Sequence, residues 1–169
     1  MAGITDITRP YFSRIYRGIV QAADNAEDSQ RALLRWLLSS AASTEVGRKY
    51  DFAEIDSYSR FAERVPLAQY ADIRPLVMRM INGESDILWR GRCNRYAQSS
   101  GTSDGRSKYI PITSDSFART HYRGGKDVVA TYLHLNPDSR MFAGKGFILG
   151  GSFANTLSDL RGGVQVGDL

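Results

Sequence analysis

Residues 99–108 read Ser-Ser-Gly-Thr-Ser-Asp-Gly-Arg-Ser-Lys. The hydroxyls of Ser99, Ser100, Thr102 and Ser103 can donate hydrogen bonds to phosphate oxygens. Gly101 and Gly105 permit positive φ and close backbone approach, so successive N–H groups can converge on an anion. Lys108 adds a point charge and further donors at the exit. The same residue types also build ordinary exposed hairpin loops. Composition alone leaves the two readings open. A Walker loop is excluded, because three residues separate Gly101 from Gly105 and Arg106-Ser107 intervene before Lys108. The Gly-x-Gly-x-x-Gly of a dinucleotide fold is missing as well.

Such a loop works only if its two ends are held. Arg95-Tyr96-Ala97-Gln98 is a strand candidate entering it, and Tyr109-Ile110-Pro111-Ile112-Thr113 a strand leaving it. Ile87-Leu88-Trp89 is a further short strand candidate. Beyond the loop, Ser114 or Asp115 caps a long helix to residue 135, ended by Asn136-Pro137. Residues 142–149 read as a strand, Gly150-Gly151 as a turn, and Val164 to Leu169 as the start of another strand. The first half is mainly helical. Ile7, Phe12, Ile15, Tyr16, Ile19 and Val20 recur at helical spacing, with Pro10 expected at the helix start. Asp28 or Ser29 caps a second helix whose buried stripe is Ala32, Leu33, Trp36, Leu37 and Ser40. A short helix over 57–63 turns Tyr58 and Phe61 inward, and Val65-Pro66-Leu67 is an extended link. Another helix runs over 70–82, with Ile73, Val77, Met80 and Ile81 on one face and Gly83 as its left-handed stop. Pro75 is tolerable there only in the first turn. The expected fold class is α/β: a helical half, 1–83, packed on part of a mixed sheet. Residues 84–169 carry the strands, the loop 99–108 and the long helix 115–135.

The 169 residues are 42% hydrophobic and 24% charged, a globular balance that excludes wholly disordered and collagen-like chains. Phe147-Ile148-Leu149 typifies the apolar runs, which are far too short to span a bilayer. Cys93 stands alone, so an internal disulfide is impossible and a cytoplasmic, reducing setting is expected. Lys plus Arg exceeds Asp plus Glu by 22 to 18, a net charge of +4. The basic residues are scattered without a metal-finger spacing or a basic region leading into heptads, so no nucleic-acid partner is expected.

Order says more than composition. Ser99-Ser100-Gly101-Thr102-Ser103-x-Gly105-x-x-Lys108-x-x-Pro111 resembles the first nucleotide-binding motif of the adenylate-forming enzymes. More closely, it is similar to the auxin-responsive-promoter (Gretchen Hagen) family of acyl-acid amido synthetases. Upstream, Phe61-Ala62-Glu63-Arg64-Val65-Pro66-Leu67-Ala68-Gln69-Tyr70-Ala71-Asp72-Ile73-Arg74-Pro75 and Ile81-Asn82-Gly83-Glu84 are similar to that family's approach segment. The resemblance covers residues 30–113 well and the remainder loosely. It implies ATP and Mg²⁺ as cofactors and a two-step ligation of a small carboxylic acid to an amino acid through an acyl-adenylate. Ser99, Ser100, Thr102 and Ser103 would contact phosphate, Gly101 and Gly105 would allow backbone approach, and Lys108 would sit at the β/γ end. Asp104 departs from the small residue often seen at its position. His121, Tyr122 and Arg123, on the helix after the loop, are candidates for contact with the acyl substrate. An acyl-CoA synthetase of the same superfamily and a non-catalytic anion-binding module are the alternatives. The adenine- and ribose-binding motifs and the mobile C-terminal domain of such enzymes are not found. The expectation is therefore an N-terminal fragment of the large adenylation domain, which self-associates through an exposed sheet edge.

Overall fold

The computed structural model describes residues 3–99, 107–147 and 163–168. They fall into two compact units, Met1–Ser29 with Ser114–Gly150 and Gln30–Thr113 with Gly151–Leu169. The expected turn at Gly150-Gly151, the end of the 142–149 segment and loop residues 100–106 lie outside the described residues.

In the first unit, helix α1 (Ile4–Asp24) packs on helix α7 (Tyr122–Leu135). Pro10 was expected to open α1 but lies inside it. The reason lies upstream. The Asp6 carboxylate accepts the Gly3 N–H at 2.8 Å, which caps the helix before the proline is reached. Tertiary contacts then hold the early turns. The Phe142 N–H donates to the buried Thr5 hydroxyl at 3.1 Å. The Arg9 guanidinium donates to the carbonyls of Leu133 and Ser139, both at 3.0 Å. Tyr16 and His134 stack with ring centroids 3.7 Å apart. The helical run that leads into α7 begins at α6 (Ser114–Ser116), so the expected caps Ser114 and Asp115 sit in its first turn. It passes through a π-helical turn, Phe117–His121, where the Tyr122 N–H bonds the Phe117 carbonyl. The long helix expected over 115–135 therefore forms, with one over-wide turn in it. Residues 142–147 form no strand, contrary to the reading of 142–149.

Helix α2 (Ala26–Ala41) starts before Asp28 and Ser29, because Asn25 alone separates it from α1. Of its expected stripe only Ser40 is buried. Leu38, Ser40 and Ala41 are buried, whereas Leu33 and Leu37 are 52% and 39% exposed and Trp36 is half-buried against Trp89 at 5.5 Å. Helix α3 (Glu45–Lys49) is capped by the fully buried Thr44. Its hydroxyl accepts the Gly47 N–H at 3.0 Å and donates to the Ala41 carbonyl at 2.7 Å. Helix α4 (Tyr58–Arg64) forms as expected behind Ser57, with Val65 extended after it, but Tyr58 points outward at 75% exposure. Helix α5 (Tyr70–Ile81) buries Val77, Met80 and Ile81 and ends before Gly83 at φ 101°. Pro75 is past the first turn. As in α1, a carboxylate secures the start, with Asp72 accepting the Gln69 N–H at 2.8 Å. Residues 87–89 are not a strand. Asp86 and Gly91 both adopt positive φ, and the Asp86 carboxylate accepts the Gly91 N–H at 2.7 Å. That closes a loop instead.

Strands β1 (Arg95–Ser99), β2 (Lys108–Pro111) and β3 (Gln165–Asp168) form a mixed sheet in the order β2-β1-β3. The β1–β2 pair is antiparallel and the β1–β3 pair parallel. One face, carrying Tyr96, Tyr109 and Val166, closes on Val77, Met80 and Ile81 of α5. Each fully buried aliphatic side chain there contributes about 1.5–3 kcal/mol. The Cys93 thiol is buried beneath β1 and donates to the Arg95 carbonyl. The Tyr96 hydroxyl donates to the Cys93 carbonyl at 3.0 Å. Burial, and then the neighbouring Cys93, raise the Tyr96 phenol well above its ordinary range. At the edge of this unit Arg79 bonds both oxygens of Glu45, at 2.9 and 2.7 Å, and Oε2 of Glu84 at 2.7 Å. The Arg79 hydrogen bond holds the Glu45 carboxyl below its ordinary value. The mixed α/β class expected from the sequence is the one observed.

Candidate functional site

The ends of the 99–108 segment are the described part of the site. The Ile112 N–H donates to the Arg95 carbonyl at 2.8 Å. Alternation along the antiparallel pair then makes Ala97–Ile110 and Ser99–Lys108 hydrogen-bonded pairs, with the backbone groups of Tyr109 and Pro111 facing outward. Pro111 therefore forgoes only an edge donor, which is why a proline fits in this strand. Ser99 and Lys108 face each other as the last pair of the ladder, and the loop leaves and returns between them. Beside them the Gln98 side-chain amide donates to the Ser107 hydroxyl at 3.0 Å. A second strut comes from α5. The Tyr70 hydroxyl accepts the Tyr109 N–H at 2.7 Å, and the Lys108 ammonium lies 5.9 Å from the centre of the Tyr70 ring. Gln98, Ser107 and Tyr70 were not singled out from the sequence. Their roles depend on pairing register and on a contact across 39 residues.

Of the expected phosphate contacts, Ser99 and Lys108 are thus brought together. Ser100, Gly101, Thr102, Ser103 and Gly105 lie outside the described residues. His121, Tyr122 and Arg123 lie in the other compact unit, at and just after the π turn. Phe117 stacks on His121 at 5.1 Å and meets Tyr122 edge-on at 4.6 Å. Arg123 pairs with Asp127 at 3.6 Å on an exposed face. His134 packs on Tyr16 at the side of an open groove of about 690 Å³ in that unit, which Arg17 and Asp24 also line. Among the described residues, no three His, Cys, Asp or Glu side chains cluster in a metal-holding arrangement. No helix among them is long and apolar enough to cross a membrane.

These features define a mixed α/β protein with a hydroxyl- and glycine-rich strand–loop–strand backed by a helix. The chain belongs to the GH3 family, whose N-terminal domain model matches residues 15–168. The match extends beyond residues 30–113 in both directions. Indole-3-acetic acid-amido synthetase GH3.17 of Arabidopsis thaliana is 34% identical over 97 residues, covering 56% of this chain and 16% of that protein. Indole-3-acetic acid-amido synthetase GH3.15 of the same plant is 36% identical over 92 residues, 54% of this chain and 15% of that protein. The solved GH3.15 acyl acid amido synthetase superposes with a TM-score of 0.72 at 25% identity, covering 90% of this chain and 27% of that one. The AtGH3.15 complex with 2,4-DB gives 0.66 at 25% identity, over 84% and 24%. The chain spans about a sixth of the length of the curated relatives it matches.

Proposed function

We propose that this chain is the phosphate-binding, N-terminal part of an ATP-dependent acyl acid–amino acid ligase. One observation carries the reading: the order Ser-Ser-Gly-Thr-Ser-x-Gly-x-x-Lys stands between two antiparallel strands that meet at Ser99 and Lys108, in a chain matched to the GH3 N-terminal domain over residues 15–168. In the first step a carboxylate oxygen attacks the α-phosphorus of Mg·ATP. A new P–O bond forms, the bond to the bridging oxygen breaks, and pyrophosphate leaves. In the second step an amine nitrogen attacks the acyl carbon, AMP departs, and the amine proton is released. The loop's part is electrostatic. Ser99, Ser100, Thr102 and Ser103 donate to the phosphates, Gly101 and Gly105 let the backbone approach, and Lys108 offsets the charge growing on the leaving pyrophosphate. Mg²⁺ arrives on the nucleotide. His121, Tyr122 and Arg123 are assigned to the acyl substrate, and Arg123 would exchange Asp127 for its carboxylate.

Amido synthetases among the relatives support a carboxylic acid and an amino acid as substrates. The single buried cysteine is in keeping with a cytoplasmic setting. The 1–169 chain is assigned to the large adenylation domain. Its self-association is assigned to β3, which pairs only with β1 among the described strands, and sedimentation velocity tests it.

Incubation of the full-length parent protein with Mg·ATP, a pool of carboxylic acids and hydroxylamine tests the reaction. Acid-dependent hydroxamate with release of pyrophosphate is expected. Mg·ATP binding without hydroxamate would reduce the reading to a nucleotide-binding module, and absence of both would overturn it. Product formation only with coenzyme A would replace the amine acceptor by a thiol.

A further inference from the structure

Lys108 ends a long flexible side chain, and a charge that must be ordered at the moment of reaction loses part of its effect. Tyr70, the first residue of α5, addresses both the backbone and the ammonium at this position. Its hydroxyl accepts the Tyr109 N–H at 2.7 Å and donates to the Tyr109 carbonyl at 3.4 Å. Those two groups face away from β1, so the phenol stands where the next strand would pair and fixes the loop-proximal end of β2. The face of the same ring lies 5.9 Å from the Lys108 ammonium, within cation–π range. At the start of the same helix the Asp72 carboxylate accepts the Gln69 N–H at 2.8 Å, which fixes the turn that carries Tyr70.

We infer that Tyr70 is a positioning residue for the loop. Its hydroxyl holds the β2 end of the hairpin, and its ring holds the Lys108 ammonium in place for the phosphates. The inference rests on the reading of 99–108 as a phosphate-binding loop, and it assigns the support that this loop's cation needs.

The test is a double-mutant cycle on Mg·ATP affinity with Tyr70→Leu and Lys108→Met, alongside Tyr70→Phe. Tyr70→Leu should weaken binding about five-fold in the wild-type background, the size of one partly exposed cation–π contact, and by less than about two-fold once Lys108 is Met. Tyr70→Phe keeps the ring and should hold affinity within about two-fold, while exchange of the Tyr109 amide accelerates. A ligand-free readout accompanies these. The Lys108 Cε–H resonances should carry an aromatic ring-current shift that Tyr70→Phe keeps and Tyr70→Leu removes. Equal weakening by Tyr70→Leu with and without Lys108, or no ring-current shift, overturns the inference while nucleotide binding stands. The cycle is measured in the full-length protein, and failure of its wild type to bind Mg·ATP overturns the phosphate-loop reading itself and the inference with it.

Discussion

Gly47→Ala should be among the most damaging single-methyl additions to the second unit. Gly47 is buried in α3, directly behind the Thr44 cap. The Thr44 hydroxyl and N–H both donate to the Ala41 carbonyl, at 2.7 and 3.0 Å, which turns that oxygen into the first turn of the helix. A Cβ on residue 47 would stand 1.9 Å from this oxygen, 2.8 Å from its carbon and 2.9 Å from the Ala42 oxygen. Real Cβ atoms keep about 3.0 Å, so the first contact is short by 3.0 − 1.9 = 1.1 Å, and all three atoms are backbone. No rotamer change relieves such a clash. The backbone must shift, at about 1–3 kcal/mol for overpacking, and the shift loosens at least one hydrogen bond of the cap, at about 1 kcal/mol. The expected cost is about 2–4 kcal/mol. With a urea slope of about 1.5 kcal/mol/M, the unfolding midpoint falls by about 1.3–2.7 M. Trp36 and Trp89 supply the assay, because they face each other in the same unit and unfolding separates them. An unchanged or higher fluorescence midpoint for Gly47→Ala would refute the packing described around Thr44.

The opposite sign is expected at Gly124, in α7, where a Cβ meets nothing within 4 Å. Gly124→Ala should stabilise the first unit by about 0.5–1 kcal/mol in far-UV circular dichroism melts. Glu45→Gln should flatten the acid limb of the second unit's stability. The folded-state pKa of Glu45 is depressed by Arg79, so its contribution is present at neutral pH and is lost as pH falls below the ordinary glutamate value of about 4.3. Urea midpoints at pH 7 and pH 3.5 should therefore differ more for wild type than for Glu45→Gln. Arg9→Met keeps the aliphatic stem and removes both bonds to the Leu133 and Ser139 carbonyls, which should cost the first unit about 2 kcal/mol in the same melts. Alanine at Ser100 or Thr102 should weaken Mg·ATP binding in titration calorimetry, and unchanged affinity in both would remove the phosphate role of the loop.

Local chemistry was legible where local forces decide. The buried face of α5 follows from the spacing of Val77, Met80 and Ile81, and its stop from Gly83. The strands on either side of the loop follow from the β-forming residues Tyr96, Tyr109 and Ile110 and from the serine- and glycine-rich segment that bounds them. Pro10 and Pro75 both lie deeper in their helices than the constraint of a proline on its own turn implies. Gly3 with Asp6 begins α1 six residues before Pro10, and Gln69 with Asp72 begins α5 at the expected Tyr70, each by an acid in the first turn. That signal was present in the sequence, but neither Gly3 nor Gln69 has the side chain that usually marks a cap. At Ile87-Leu88-Trp89 the apolar run outweighed Asp86 and Gly91, whose side-chain–backbone bond makes the turn. On α2, helical periodicity gives a stripe from Ala32 to Ser40. Burial of Leu38, Ser40 and Ala41 is instead confined to the end beside the Thr44 turn, a tertiary choice that periodicity does not contain.

The candidate site divides along the same line. The proposed donors are consecutive residues, so their identity and order can be read directly, and it is their order rather than their composition that carries the resemblance. What holds them is not consecutive. Ser99 meets Lys108 only after strand pairing chooses its register, and a slip of one residue would send Lys108 to the opposite face of the sheet. The register is in turn compatible with Pro111 because that residue falls at an outward position, and with Tyr109 because Tyr70 supplies the partner its outward N–H lacks. The apolar face of β2 and the α5 side chains select one register, and Tyr70 occupies the edge position that this register leaves open. In the proposed reading, the placement of the Lys108 ammonium depends on Tyr70, a helix residue that no motif through 99–108 contains.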